Sequence, residues 1–381
     1  MAVQVGVGTG KRLIARQAQS DLSDEAHAVR ELSEQLDAGE AKAVLVFCSA
    51  KYDLDRLGNC LAATFAVPVA GCTTAGQIGP RGYQKGGITA VSLSSEELRV
   101  RPFLIAPLEQ CQARAADAAF AASASLLEQN SRKAFGLVLC DGLSVAEERL
   151  AASLYQSLAD VPLIGGSAGD ELAFERTHIY HEGKFVSNAA SLILFETTLP
   201  FATFKVQHVA PTRQRMVVTM ADPAQRVVHE INGEPAAEAY AELLGVDMDE
   251  LNSGLFSKNP VMLRHGDDYY VRSIKRVNSD HSLTFFCAIE QGLVLTVGKN
   301  TDPIAALERS FASVRERVAE PEIILGCDCV LRRMEMEKDG KDTAVGALLA
   351  RNRVAGFSTY GEQYNAIYVN QSMTAVALGG Q

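Results

Sequence analysis

Histidine and cysteine side chains are the residues of this sequence best suited to bind a metal or to act as nucleophiles. His208 ends an apolar stretch and is followed by Pro211, a place where an imidazole can hold a ligand at the edge of a pocket. Imidazole nitrogens bind transition metals and haem iron. A lone histidine is more often a hydrogen-bonded residue than a ligand, so the residues alone leave both interpretations open.

The eight cysteines are expected to be reduced thiols. Cys72 and Cys140 lie in apolar runs, where cysteine behaves as a small hydrophobic residue. No histidine, which a nucleophilic thiolate would need as a base, lies near either of them in sequence. Cys327 and Cys329 are too close together for a common zinc knuckle, which favours a structural role over metal or redox sensing. An enzyme that uses Cys140 or Cys72 is therefore the least favoured function.

Two related glycine-rich segments, 161–170 and 67–76, each follow an apolar strand and a helix. Gly165 and Gly166 resemble a phosphate-binding loop only weakly, because the lysine and hydroxyl residue of a P-loop are missing and a strand follows instead of a helix. We predict tight turns at these glycines. Their lack of a side chain lets a neighbouring strand or a ligand approach the backbone closely.

The elements around these segments predict an α/β fold followed by an α+β fold. Residues 41 to about 200 are expected to form a duplicated β-α-β-glycine-turn-β unit, with buried strands at 43–48 and 135–140. From residue 201 short strands predict a half rich in antiparallel sheet, which ends in a strand-helix-strand element. We place the domains at 1–215 and 216–381, closely apposed because no linker separates them.

Composition excludes several classes of partner. The 381 residues are 47% hydrophobic and 22% charged, with a net charge of -10 and no block of lysine or arginine. Nucleic acid and anionic membranes are therefore not expected partners, because binding to phosphates needs clustered cations. No apolar run approaches the roughly 20 residues that span a bilayer, and the first ten residues do not resemble a signal peptide. We expect a cytoplasmic protein.

Several motifs together resemble the FIST domain, a sensory and signal-transduction module. Residues 70–76 resemble its N-terminal signature, and 230–236 and 356–364 resemble its C-terminal part. The resemblance extends from about residue 30 to 380. It implies that the chain senses a small ligand such as an amino acid.

A narrower resemblance is to the FIST subfamily called NosP, whose members are haem-binding nitric-oxide sensors paired with histidine kinases. The segments that carry it are 162–170, 211–212, 326–333 and 370–374. This resemblance implies a haem b cofactor, nitric oxide as the gas ligand and a histidine kinase as the partner. It leaves open whether the chain forms a homo-oligomer.

The NosP resemblance also implies a set of site residues. His208 becomes the leading axial ligand of the iron, because the stretch from Gln207 to Thr212 resembles the NosP pattern. Pro211, Gly165 and Gly166 are expected to lie at the haem pocket. Tyr368 stands where we expect a histidine in the NosP tail, and tyrosine also ligates haem iron.

Overall fold

The computed structural model describes residues 12–127, 133–158 and 161–379. Residues 14–94 form one α/β unit: β1 (Ile14–Ser20), α1 (Glu25–Leu36), β2 (Ala43–Cys48), α2 (Leu54–Thr64), β3 (Val69–Thr73), the hairpin β4 (Gln77–Gly79) and β5 (Gly82–Gln84), and β6 (Ile88–Ser94). A second unit repeats this order: β7 (Leu98–Ile105), α3 (Cys111–Leu127), β8 (Lys133–Cys140), α4 (Glu147–Ser157), β9 (Leu163–Ser167), the hairpin β10 (Ile179–His181) and β11 (Lys184–Val186), and β12 (Ala190–Thr197). The predicted duplication is confirmed.

A third unit begins with β13 (Phe201–Gln207) and is interrupted by an insertion of residues 209–300. The insertion contains β14 (Val209–Asp222), β15 (Val227–Ile231), β16 (Glu234–Pro235), α5 (Ala236–Leu244), α6 (Ser253–Lys258), β17 (Val261–His265), β18 (Asp268–Arg272), β19 (Ile274–Val277), β20 (Leu283–Phe285) and β21 (Val294–Asn300). The unit resumes with α7 (Pro303–Arg317), β22 (Pro321–Cys329), α8 (Val330–Lys338), α9 (Asp342–Arg351), β23 (Val354–Thr359), the hairpin β24 (Glu362–Tyr364) and β25 (Ile367–Val369), and β26 (Ser372–Gly379).

Each unit builds a sheet with the same strand order and completes it with a hairpin from another unit. The three sheets are β1-β6-β2-β3-β10-β11, β7-β12-β8-β9-β24-β25 and β13-β26-β22-β23-β4-β5. The hairpin of the first unit thus joins the third sheet, that of the second joins the first sheet, and that of the third joins the second sheet. This cyclic exchange ties the three units, here called the body, into one structure.

The three sheets pack against each other and carry helices on their outer faces. One apolar core takes side chains from all three sheets, including Phe47 and Phe357, whose rings stack 4.9 Å apart. Separate cores lie under α1 and α2, under α3 and α4, and under α7 and α9. Within the described ranges no helix is both long and apolar enough to cross a membrane.

The insertion folds as an antiparallel sheet with the order β18-β17-β21-β14-β15-β20-β19, in which β16 pairs with β15. Helix α5 packs on this sheet through Ala236, Ala237 and Tyr240. A strand-rich region after residue 201 was expected from the short apolar runs, and the structure agrees. The domain boundary placed between residues 215 and 216 stays a prediction; both residues lie within β14.

Each unit has a glycine inside a strand, at a point where the neighbouring parallel strand approaches closely. Gly71, Gly165 and Gly356 each lie beside the parallel strand of their own unit, and a Cβ on any of them would overlap a backbone carbonyl oxygen of that strand. The prediction of tight turns at Gly165 and Gly166 is wrong, because both residues pair with β24 within a buried sheet. The expected close approach of a neighbouring strand is confirmed.

Substitution of Gly165 by alanine is expected to lower the free energy of unfolding by about 2 kcal/mol or more, because the new methyl group has no space beside Val138. Denaturant unfolding followed by circular dichroism measures the change. Gly39→Ala is the matched control, since no atom lies within 4 Å of a Cβ at that position. Equal stability of the two variants would contradict this role of Gly165.

Candidate functional site

A cleft lies between the insertion and the ends of four body strands. Its body wall follows the carboxyl ends of β8, β9, β22 and β23, the side of a parallel sheet where α/β proteins bind ligands. The cleft consists of two cavities of about 470 and 510 Å³, here called the Tyr368 cavity and the Glu335 cavity after a lining residue of each. Both are lined by Phe174, Lys275, Phe286 and Leu331.

Aromatic rings and cations together line the Tyr368 cavity. Phe174, Phe286 and Tyr360 contribute rings, and Arg226 and Lys275 contribute the charged side chains. No carboxylate is among the described residues that line this cavity. Such a wall suits a ligand that has a flat apolar part and an anionic or hydrogen-bonding part.

The loop after β9 presents Phe174 to both cavities. Asp170 organises this loop, because its carboxylate accepts hydrogen bonds from the backbone N–H groups of Phe174 at 2.9 Å, Glu175 at 2.7 Å and Arg176 at 2.9 Å, and from the Tyr360 hydroxyl. Burial raises the pKa of Asp170, but these hydrogen bonds outweigh it and the pKa is lowered. The ring of Phe174 stacks on Tyr360 at 4.7 Å.

This loop has a strained backbone. Glu171, Leu172 and Phe174 have φ values of 57°, 70° and 56°, a region that non-glycine residues rarely adopt. Leu172 and Phe174 remain 38% and 49% exposed, which is unusual for large apolar side chains beside a cavity. Backbone strain and exposed apolar surface of this kind concentrate at ligand clamps.

Arg226 joins the insertion to helix α4 at the floor of the Tyr368 cavity. Its Nη2 lies 2.8 Å from Glu147 and 2.7 Å from Glu148, and its Nη1 donates to the carbonyl of Phe286 at 2.7 Å. Burial raises the pKa of Glu147 to about 7, while Arg226 lowers it and Glu148 raises it. The guanidinium also lies 5.9 Å from the ring centre of Tyr368.

A carboxylate and two lysines mark the Glu335 cavity. Glu335, Lys275 and Lys338 line it together with apolar residues such as Met334 and with the hydroxyl residue Ser257. Among the described residues neither lysine has an ion-pair partner within 4.0 Å, whereas Glu335 lies 3.1 Å from the Nε2 of His208. The Glu335 cavity therefore contains a carboxylate beside its lysines, whereas the described lining of the Tyr368 cavity contains cations and no carboxylate.

The structure places the predicted site residues in three separate locations. His208 is fully buried between β13 and β14 and lines neither cavity, and Pro211 is exposed on β14. Gly165 and Gly166 are buried in β9. Tyr368 lies two strands away from Gly165 in the same sheet, because Gln363 in β24 pairs with Gly165 in β9 on one side and with Tyr368 in β25 on the other. Of the predicted site residues, Tyr368 is the one that lines the cleft.

The surroundings of His208 do not fit an axial ligand of haem. Its Nε2 is engaged by Glu335, and its Nδ1 is buried without a hydrogen-bond partner among the described residues. The carboxylate acceptor fixes the Nε2–H tautomer, so only Nδ1 has a lone pair, and no described cavity lies against it. Haem would require this side chain to leave Glu335.

Tyr368 is no better suited to bind iron as a phenolate. Burial raises its pKa well above the ordinary value, and Glu147 and Glu148 raise it further, while Arg226 opposes them. The ring is tightly packed, since a Cβ on Gly361 would overlap the phenol group. Haem binding through either residue stays a prediction that the described packing does not favour.

The cysteines of the suggested enzyme are inaccessible. Cys72 and Cys140 are both 0% exposed, and burial raises the pKa of each thiol well above its ordinary value. A buried thiol with a raised pKa supplies little thiolate for nucleophilic attack. In the part of the chain that the structure describes, no three histidine, cysteine or acidic side chains form a group that could hold a metal ion.

Comparison with known proteins identifies the family. The FIST N domain matches residues 42–234 and the FIST C domain matches residues 236–365. The chain belongs to the FIST family. FIST domains are small-ligand sensory domains of signal transduction.

Other comparisons add little to the FIST assignment. No curated protein matches the chain. Among solved structures the chain is similar to "T. maritima PurL complexed with FGAR", with 8% identity over 99% of this chain and 75% of that chain and a TM-score of 0.21. At that TM-score the likeness supports no argument about the fold or the ligand.

The residues that line the cleft of this FIST chain were not identified from its sequence, apart from Tyr368. Phe174 and Leu172 had a detectable signal, because two large apolar residues follow Asp170 immediately after a buried strand. Lys275 lies in β19 and Phe286 directly follows β20, and neither position carries such a signal.

The carboxyl group of Glu147 should make the stability of the chain depend on pH. Its pKa is raised from 4.5 to about 7 in the folded state, so the folded protein binds this proton more tightly than the unfolded chain does. The free energy of unfolding contributed by Glu147 therefore falls as the pH rises from 4.5 to about 7, by up to about 3 kcal/mol.

Glu147→Gln should remove this decrease, and urea unfolding at a series of pH values measures it. Glu316→Gln, which removes an exposed carboxylate from α7, is the control and should retain the wild-type pH profile. Identical profiles for wild type and Glu147→Gln would contradict the assignment of the raised pKa to Glu147.

Proposed function

We propose that this FIST protein is a sensory module that binds a small amphipathic ligand in the cleft between the insertion and the body. The two cavities share wall residues from both parts of the chain: Phe174 and Leu331 from the body, and Lys275 and Phe286 from the insertion. A ligand seated there contacts both parts at once. Its binding energy therefore depends on how the insertion is held against the body, which a sensor needs for signalling.

The charge distribution supports a ligand with an anionic group. Lys275 is exposed at the junction of the two cavities, and its Nζ lies 5.7 Å from the ring centre of Phe286. The cation and the adjacent ring can engage an anion and its apolar neighbour together. On a chain with a net charge of -10, this local positive charge favours an anion at one place.

A haem-based nitric-oxide sensor that controls a histidine kinase is the function implied by the NosP resemblance. The contact between His208 and Glu335 argues against it, and a titration with ferric haem separates the two functions. Haem binding predicts a saturable Soret band that is lost in His208→Ala. The ligand-binding function proposed here predicts no such saturable band.

A probe that matches the cleft is 3-phenylpropionate, which combines an aromatic ring with a carboxylate. Isothermal titration calorimetry should detect its binding, and both Phe174→Ala and Lys275→Gln should weaken it by roughly tenfold, because one removes an aromatic wall and the other removes the cation.

Phe120→Ala is the control, since Phe120 is 78% exposed on α3 and lies outside the cleft. Its affinity for 3-phenylpropionate should equal that of the wild type. Absence of binding to the wild type, or equal affinity of all variants, would contradict the assignment of the cleft.

A further inference from the structure

One carboxylate oxygen of Glu335 is held by two residues that line neither cavity, His208 and Asn300. Its Oε1 accepts hydrogen bonds from the Nε2 of His208 at 3.1 Å and from the Nδ2 of Asn300 at 2.7 Å. Its Oε2 has one long contact, from the Ser257 hydroxyl at 3.4 Å. Oε1 therefore already accepts the two hydrogen bonds that its lone pairs allow, whereas Oε2 can accept another.

The two donors belong to the segments that connect the insertion to the third unit. His208 lies between β13 and β14, and Asn300 is the last residue of β21. Thr301 joins these segments, because its backbone N–H and its hydroxyl donate to the carbonyl of His208 at 2.6 and 2.9 Å. Asn300 is held separately, because its Nδ2 also donates to the carbonyl of Ser257 at 3.0 Å. Both donors are thus tied to neighbouring segments, and they orient Glu335.

Glu335 itself reaches the cleft. It lines the cavity of about 510 Å³, and its side chain is 10% exposed. A carboxylate that is fixed through Oε1, and whose Oε2 can accept a further hydrogen bond in a mostly buried wall, is suited to a charge-assisted hydrogen bond. Lys275 and Lys338 line the same cavity, and neither lies within 4.0 Å of Glu335 in the described structure.

We infer that Glu335 accepts a hydrogen bond from a protonated amine on the ligand, and that His208 and Asn300 are positioning residues that hold its carboxylate for this contact. The inference rests on the proposed ligand site in the cleft and adds the chemical class of one ligand group. It also gives His208 a role that its buried contact with Glu335 supports: the imidazole orients a carboxylate and does not bind iron.

Three probes that share a phenyl ring test this inference: 2-phenylethylamine, 2-phenylethanol and 3-phenylpropionate. Isothermal titration calorimetry at pH 7 compares their affinities for the full chain. The protonated amine should bind at least about tenfold more tightly than the neutral alcohol. Glu335→Gln should bring this ratio close to one, because it replaces the charged carboxylate of the wall with a neutral amide.

The ratio of amine to alcohol affinity also tests whether His208 and Asn300 position the carboxylate of Glu335. Asn300→Ala and His208→Ala should each lower this ratio by about threefold or more, and His208→Gln should restore part of it, because an amide N–H can replace the Nε2–H donor. Met334→Ala, on the same cavity wall, is the control and should weaken both probes equally. A merely structural role of His208 would also weaken both equally.

Thr301→Val provides a second, milder variant in case the buried substitutions unfold the chain. It removes the hydroxyl contact to His208 and keeps the backbone N–H contact, so it should lower the ratio slightly. Equal affinity for amine and alcohol, while 3-phenylpropionate binds, would overturn the role of Glu335 and leave the proposed function intact. Binding of none of the three probes would overturn both.

Discussion

In each of the three units two parallel strands approach so closely at a glycine that no side chain fits between them. At Gly71, Gly165 and Gly356 the backbone of the neighbouring strand occupies the space of a Cβ, once in each unit. The three sheets can then pack around one shared core and exchange their hairpins in a cycle. Because of this arrangement the loops that follow β8, β9, β22 and β23 meet at one place, which becomes the body wall of the cleft.

The insertion supplies the opposite wall, and polar contacts fix its position. Arg226 reaches Glu147 and Glu148 on α4, and the Nη1 of Arg272 donates to the carbonyl of Tyr368 at 2.6 Å. At the other end Glu335 holds the two connecting segments. A ligand between these attachments contacts residues whose positions all depend on the docking of the insertion, so binding and docking are energetically linked.

Local patterns in the sequence predicted much of the fold. The strands predicted at 43–48 and 135–140 are observed as Ala43–Cys48 and Lys133–Cys140, because apolar runs are a local signal. The prediction of turns at Gly165 and Gly166 was wrong because a tight turn and a close contact between strands both favour glycine, so the residue type alone does not distinguish them. Phe174 had a local signal after β9, but the cleft as a whole was not predictable, because Phe174 meets Phe286 only through the docking of the insertion, which leaves no periodic signal.

Hydrogen-deuterium exchange with and without saturating 3-phenylpropionate shows whether a ligand binds between the insertion and the body. A ligand in the cleft should slow exchange on both walls at once, in the loop at 171–176 and in the insertion at 284–288. If the probe binds without protecting these two segments, or protects only one wall, the ligand does not lie between the insertion and the body.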